Sequence, residues 1–288
     1  MLDEIALSAP LAPTRIAPGT YLIREVQHAL GQPLSVYINS MVILGSEPII
    51  VDTGSAKHRN QWLDAVFGLV EPTDVRWIFL SHEDADHTGN LAEVLTACPN
   101  ATLVCSWALV ERAANFFDFP LPRCHWLNDG DRLGVGDREI VALRPPVYDS
   151  PTTRGLFDTK SRVYWAVDSF ATPVPGGAGT APMEDLLDLD PTEWWNGLVM
   201  FGLHAVSPWL TIADTTRYAG SVKRLRRLDI TTLAGGHTPA IPGAKVDEAF
   251  EMIGRLAGLE APPCPDQSVL EFLIAAMDGD GTLAGANG

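Results

Sequence analysis

His82-Glu83-Asp84-Ala85-Asp86-His87-Thr88-Gly89 sets four potential metal donors, His82, Asp84, Asp86 and His87, within six residues. The stretch before it, Val75-Arg76-Trp77-Ile78-Phe79-Leu80, has the apolar, β-branched and aromatic content of a buried strand. The donors therefore begin where a rigid strand ends. A loop at that point lets side chains two positions apart turn toward one ion. Imidazole and carboxylate are both good ligands for zinc, iron and manganese. A solvated acidic turn has the same composition, so spacing and context must decide between the two.

Outward from the motif the chain alternates between strand and helix patterns. Upstream, Ser35 to Leu44 and Pro48 to Val51 read as strands, the second ending at Asp52-Thr53-Gly54, and His58 to Leu69 as a helix. Downstream, helices are expected over 90–97, 107–116, 193–206, 215–228 and from Val246. Strands are expected over 101–105, 139–143, 163–167 and 230–233. Residues 172–182, rich in Pro and Gly, are expected to form a loop without regular structure, and the Gly-rich last ten residues a frayed tail. There is no internal repeat and no linker dividing the chain in two.

The pattern H-x-D-x-D-H-x-G resembles the H-x-[HED]-x-D-H-x-G signature of the metallo-β-lactamase fold superfamily. Further landmarks follow in the family's order: Asn39-Ser40, Ile50-Val51-Asp52-Thr53-Gly54, Val163-Tyr164-Trp165-Ala166-Val167-Asp168 and Gly235-Gly236-His237. The resemblance implies an α/β fold, the four-layer αββα sandwich, with the site where strand-end loops meet. It also implies a division into residues 1–34 as an N-terminal extension packed on the domain, 35–262 as the domain itself, and 263–288 as a C-terminal helix and tail.

The resemblance further implies two metal ions. His82, Asp84 and a residue after the Leu143 strand would form one site, and Asp86, His87 and His237 the other. Asp168 would bridge, and Asp86 and Asp168 would be the catalytic groups. The family usually supplies a histidine as the third ligand of the first site, but this chain has none between His125 and His204. Counting back from Arg154-Gly155-Leu156-Phe157-Asp158, which resembles the segment before the bridging strand of flavodiiron proteins, puts Asp149 at that place. Tyr148 and Thr152 remain open alternatives. Asp52 would brace the His82 loop, and Arg154, Trp194, Trp195, Phe201 and His204 are candidates for the pocket.

The ligand set departs from that of the hydrolytic members. Three histidines and four carboxylates replace five histidines and two aspartates, and four negative ligands balance two divalent ions. Hard carboxylate donors favour iron, or manganese, over zinc. The flavodiiron oxygen and nitric-oxide reductases have one added carboxylate, and the di-iron β-hydroxylases of this fold have two, as here. This chain uses Asp84 where those have glutamate. The resemblance thus implies O2-dependent oxidation, or O2/NO binding and reduction, acting on O2, NO or a small-molecule substrate. No stretch is left for a flavin domain, so no flavin is expected on this chain and electrons would come from a separate donor. A metal-dependent hydrolase of an ester, lactone, thioester or phosphodiester is the first rival, and a non-catalytic O2/NO sensor the second. Val51-Asp52-Thr53-Gly54 also resembles the aspartic-protease tripeptide, but the second copy that chemistry needs is missing.

Composition narrows the partners. The 288 residues carry 20 Lys+Arg against 36 Asp+Glu, a formal charge of −16. Such a surface lacks the cationic surplus needed to displace counterions from nucleic acid, and no basic amphipathic helix for anionic lipid is present. No apolar run reaches the length of a membrane span. Met1-Leu2-Asp3-Glu4 is acidic where a secretory signal starts basic. The four cysteines, Cys98, Cys105, Cys124 and Cys264, show no C-x-x-C spacing and are expected to be reduced. These points together give a cytoplasmic protein, with a homodimer as an allowed assembly.

Overall fold

The computed structural model of the chain describes residues 8–29, 33–177 and 180–278; the expected frayed tail, from 279, lies outside them. Seven strands run side by side in one sheet: β1 (Ser8–Ala17), β2 (Thr20–His28), β3 (Leu34–Ile43), β4 (Ile49–Val51), β5 (Trp77–Phe79), β6 (Thr102–Cys105) and β7 (Cys124–Trp126). The first four are antiparallel and β4 to β7 are parallel. After them come β8 (Arg132–Val135), β9 (Arg138–Leu143), β10 (Gly155–Asp158), β11 (Val163–Trp165), β12 (Val174–Pro175), β13 (Thr232–Ala234) and β14 (Ile241–Pro242). β12 pairs with β3, and the other six form a second sheet in the order β14-β13-β11-β10-β9-β8.

The helices are α1 (Arg59–Phe67), α2 (Ala85–Thr88), α3 (Leu91–Ala97), α4 (Trp107–Ala113), α5 (Pro191–Phe201), α6 (Thr215–Arg226), α7 (Gly243–Ile253) and α8 (Gln267–Asp278). Side-chain caps start four of them, α8 through Asp266, which accepts from the Ser268 amide. Ser106 accepts from the Leu109 amide, Asp190 from Thr192 and Glu193, and Asp214 from Arg217.

Strand alternation makes the layers. Ile49 and Val51 of β4 face inward with Phe79 and Val104, against Ile140, Ala142, Leu156 and Trp165 of the second sheet. Ile50 between them faces outward with Ile78 and Leu103, onto Trp62, Val66, Leu91, Val94 and Leu109 of α1, α3 and α4. On the far side Phe157, Tyr164 and Leu233 face Trp194, Leu198, Tyr218, Val222 and Phe250 of α5, α6 and α7. The order is helices, sheet, sheet, helices, and period-two patterning alone requires it.

The first sheet is larger than the sequence reading expected. Residues 8–28, taken there as an extension, pair as β1 and β2 along the edge of β3. The proline- and glycine-rich 172–182 stretch is not wholly irregular: Val174 pairs with Ser35. Two residues suffice there because β12 meets only the end of β3. The helix expected over 193–206 runs to Phe201 and continues as one wider π-type turn, Gly202–Val206.

Strands β4, β5, β11 and β13 end toward one edge of the sandwich, and their next residues build the site. Two of those residues leave extended geometry abruptly. Asp52 has φ 57° and Val167 also has φ 57°. For a β-branched valine this left-handed conformation costs about 1–3 kcal/mol, and it turns the chain so that Asp168 follows directly.

Candidate metal centre

Asp52 follows β4 and is fully buried. Its Oδ1 accepts from the Ser81 amide at 2.7 Å. Its Oδ2 accepts from Ser81 Oγ at 2.7 Å, His87 Nδ1 at 2.8 Å and Trp165 Nε1 at 3.1 Å. One carboxylate thus ties together the ends of β4 and β5, the motif helix α2 and strand β11.

The same network sets the histidine rings, when tautomers are assigned from partners. His87 Nδ1–H donates to Asp52, and His237 Nδ1–H donates to the Tyr37 carbonyl at 2.8 Å. Ser81 Oγ gives its proton to Asp52, so at 3.1 Å it accepts from His82 Nδ1–H. In all three imidazoles Nδ1 is engaged behind the ring, which leaves Nε2 as the nitrogen that faces one cluster of carboxylates.

Asp168 stands at the centre, with side-chain exposure of 4%. Its Oδ2 lies 3.4 Å from His82 Nε2; its Oδ1 lies 3.3 Å from His87 Nε2 and 3.4 Å from His237 Nε2. Asp86 Oδ2 is 3.2 Å from His237 Nε2 and 3.7 Å from His87 Nε2. Asp84 Oδ2 and Asp149 Oδ1 are 3.7 and 4.0 Å from His82 Nε2. Donors held about 2.1 Å from one ion stand roughly 3.0 to 3.4 Å from each other at octahedral or tetrahedral angles. The histidine–Asp168 pairs and the Asp86–His237 pair match that spacing; the Asp84 and Asp149 arms are somewhat looser.

Electrostatics points to a missing cation. Burial by itself raises the Asp86 and Asp168 carboxyls, but the charge of the neighbouring imidazoles outweighs it and holds both well below the usual carboxylate range. Burial lowers His82, His87 and His237 in turn, but the carboxylates outweigh it and leave all three above the ordinary imidazole value. The metal-free cluster therefore favours imidazolium, whose Nε2 protons a bound cation would replace. Asp149 goes the other way, raised first by burial and then by the charge of Asp168. No lysine or arginine pairs with Asp84, Asp86, Asp149 or Asp168 among the described residues. His82 Nε2, His87 Nε2 and Asp168 Oδ1 are buried without a hydrogen-bond partner, and such orphaned atoms require explanation. Gly236 lines the same space: a Cβ there would come within 2.9 Å of His87 Cε1 and 3.1 Å of Asp168 Oδ1. The donor set fits metal ions at the two ends of Asp168. Three donor triads converge closely enough to hold one: His82–Asp84–Asp149, Asp86–His87–His237, and His82–His87–Asp168 across the middle.

The seven expected donors therefore converge, and Asp52 lies behind them. The four outlying candidates sit elsewhere. Arg154 turns back on its own loop, donating to the carbonyls of Pro151, Thr152 and Thr153. Trp194 is packed in the core beneath α5, Trp195 lies under Arg255 at 4.4 Å, and the His204 ring meets the Pro262 carbonyl. Phe201, two helical turns beyond Trp194, does reach the site, its ring 5.5 Å from that of His237. The sequence reading passed over Trp165 and Ser81, whose donors complete the Asp52 network. A tryptophan three residues before Asp168, on an inward-facing strand position, is the available signal.

The sequence profile described as "ODP family beta lactamase" matches residues 36–237. Among curated proteins, the chain is 30% identical over 133 residues to a putative diflavin flavoprotein A 3 of Nostoc, 46% of this chain and 23% of that one. It is 22% identical over 133 residues, 46% of this chain and 26% of that one, to the anaerobic nitric oxide reductase flavorubredoxin of Pectobacterium atrosepticum. The chain spans about a quarter of the length of the leading curated relatives. A mutant flavo di-iron protein of Thermotoga maritima superposes over 85% of this chain and 61% of its own, with TM-score 0.71 and 14% identity. The rubredoxin oxygen:oxidoreductase of Desulfovibrio gigas covers 84% and 60%, with TM-score 0.68 and 14% identity. The fold is the αββα metallo-β-lactamase sandwich, and the chain belongs to the ODP family beta lactamases, on the branch shared with the flavodiiron proteins.

Proposed function

We propose that this protein is a dinuclear, redox-active metal protein, iron-loaded in preference to manganese or zinc, that reduces or uses O2 or NO. His82, Asp84 and Asp149 hold one ion, Asp86, His87 and His237 hold the other, and Asp168 serves both. The observation that carries the reading is the Asp168 carboxylate, whose Oδ2 faces His82 Nε2 and whose Oδ1 faces His87 Nε2 and His237 Nε2. Four carboxylates with no lysine or arginine against them among the described residues support a pair of divalent ions, and their hardness supports iron. The names of two relatives, a nitric oxide reductase and an oxygen oxidoreductase, agree with that chemistry.

Two iron ions, when bound, supply electron transfer to a small diatomic substrate. The residues supply the rest. Asp52 and the Tyr37 carbonyl fix His87 and His237 with their lone pairs inward. Asp84, with its side chain 52% exposed, is the donor most open to solvent, ahead of Asp86 at 28%. Phe201 shields one face of His237. Electrons come from a separate donor, and we place the protein in the cytoplasm, with its four cysteines free; no described helix is long and apolar enough to cross a membrane. We read the domain expected over 35–262 as extending back through β1 and β2, which belong to its first sheet.

The test is anaerobic loading of metal-free protein with iron, followed by O2 and NO consumption under a chemical reductant. Two irons per chain and turnover above free iron are expected. Stoichiometric zinc from iron-replete cells, with ester or lactone hydrolysis and no oxygen-sensitive absorbance, would establish the hydrolase instead. Reversible O2 binding without turnover would establish the sensor.

A further inference from the structure

The loop between β9 and β10 carries Asp149 and is pinned almost entirely by side chains from other elements. Ser169 Oγ accepts from the Val147 amide at 3.0 Å and donates to its carbonyl at 2.7 Å. Ser207 does the same for Tyr148, at 2.8 and 2.7 Å. Further on, Ser106 Oγ donates to the Thr152 carbonyl at 2.9 Å, and the Arg154 amide donates to the Ser81 carbonyl at 2.9 Å. Between these anchors lies the turn that follows Asp149. Its two hydroxyls converge on one group. Ser150 Oγ lies 2.9 and 3.1 Å from the two carboxylate oxygens of Glu83, and Thr152 Oγ1 donates to Glu83 Oε2.

Glu83 stands between His82 and Asp84, and its side chain points away from the cluster. Its carboxylate is 10% exposed, whereas its remaining partner, Arg112 of α4, is 55% exposed. A carboxylate this buried is held by what it accepts, and here that is the Asp149 loop.

We propose that Glu83 is a positioning residue: it clamps the Ser150–Thr152 turn to the motif and thereby sets how far Asp149 reaches toward His82. The proposal rests on the reading of Asp149 as a donor to the first ion. Asp149 has the longest of the donor spacings, 4.0 Å to His82 Nε2, on a short side chain. A longer glutamate or histidine arm absorbs a backbone shift by changing rotamer; an aspartate passes it on to its oxygens. Asp84, Asp149 and Asp168 also repel one another before any ion arrives, so something outside the cluster must hold the loop inward. Glu83 does so from the same hexapeptide that carries His82, Asp84, Asp86 and His87.

The test is titration of metal-free protein with Co(II), reading stoichiometry and visible ligand-field bands, which need no redox activity. Wild type, E83Q, the S150A/T152V double variant and the triple combination are compared, with R112A alongside. Wild type is expected to bind two ions. E83Q and S150A/T152V are each expected to lose about 10- to 100-fold in affinity at one site, with that site's bands altered and the other affinity unchanged. The triple variant is expected to be no worse than the worse parent, because the three groups act as one unit. R112A is expected to bind as wild type. Wild-type binding of both ions by E83Q, or an R112A loss equal to that of E83Q, overturns the role of Glu83 while leaving the two-ion reading intact. Fewer than two ions on wild type overturns both. Should E83Q misfold, S150A/T152V carries the test, and two unaltered sites there overturn the proposal.

Discussion

Replacing Asp52 with asparagine tests whether the network behind the donors fixes both fold and metal affinity. The wild-type carboxylate is fully buried and accepts four hydrogen bonds, from the Ser81 amide and hydroxyl, His87 Nδ1 and Trp165 Nε1. An amide has one acceptor oxygen with two lone pairs. In the better orientation that oxygen faces the three donors at Oδ2 and satisfies two. The new NH2 then faces the Ser81 N–H, donor against donor. At least two buried donors lose their acceptor, at about 1–3 kcal/mol each, so D52N should be less stable by about 2–6 kcal/mol. Domains of ordinary stability have about 5–15 kcal/mol in total. In the other orientation the NH2 donates to His87 Nδ1, which moves the ring proton to Nε2 and closes that donor. Metal affinity should fall about 10- to 100-fold either way. Urea unfolding of the metal-free protein gives the first quantity, and chelator competition with Co(II) the second. A stability change under about 0.5 kcal/mol with unaltered competition would refute the assignment of Asp52 as the brace.

Other perturbations separate structure from site. Asp168→Ala should lower Co(II) stoichiometry below two while preserving the circular dichroism spectrum; two tightly held ions in D168A would remove its bridging role. Arg138→Ala strands the buried Asp158, which lies 2.8 Å from Arg138 Nη1, and also frees the Leu44 carbonyl that joins the two sheets. A loss of about 3–5 kcal/mol is expected by denaturant unfolding, and a change below 1 kcal/mol would show the clamp to be dispensable. Burial pushes the Cys98 thiol up to about 11 and Cys105 up to about 12. Native protein at pH 8 should therefore react rapidly with a thiol reagent at exposed Cys264, and at Cys98 and Cys105 only after unfolding. Because the folded values lie above those of the unfolded chain, this contribution to stability is complete below about pH 8.5. It is lost as pH rises through the folded values.

The layers of this fold were legible because their cause is local. Ile49-Ile50-Val51 and Val75 to Leu80 are short apolar runs closed by polar residues, and each became a strand within a residue or two of its expected ends. Strands β1 and β2 were not legible. The β1 sequence, with Ala9-Pro10 and Ala12-Pro13 three residues apart, has weak strand propensity. What orders β2 is the long antiparallel register with β3, from Thr20–Ile43 to His28–Ser35, a tertiary fact. The break at Gly202 has a similar origin. Nothing in Leu198 to Val206 signals a wider turn, but the turn brings the Ser207 hydroxyl onto the Tyr148 backbone.

The site divides along the same line. His82, Asp84, Asp86 and His87 lie on one hexapeptide, so their convergence needs only a strand end and a helical turn, and sequence spacing reports it. Asp149 reaches the cluster through a loop with no pattern of its own, placed by Ser169, Ser207, Ser106 and Glu83. Serine hydroxyls are among the least informative residues in a sequence, because most satisfy themselves locally or in water. That explains why Tyr148 and Thr152 stay open beside Asp149 in the sequence, and the three differ in what they touch. Tyr148 lies beside Trp209 and beneath Arg144, Thr152 is spent on Glu83, and Asp149 has its carboxylate toward His82. A side chain carried on such a loop is as well placed as its anchors, so under the proposed two-ion reading the geometry of the first site would be set by residues that never contact the ion.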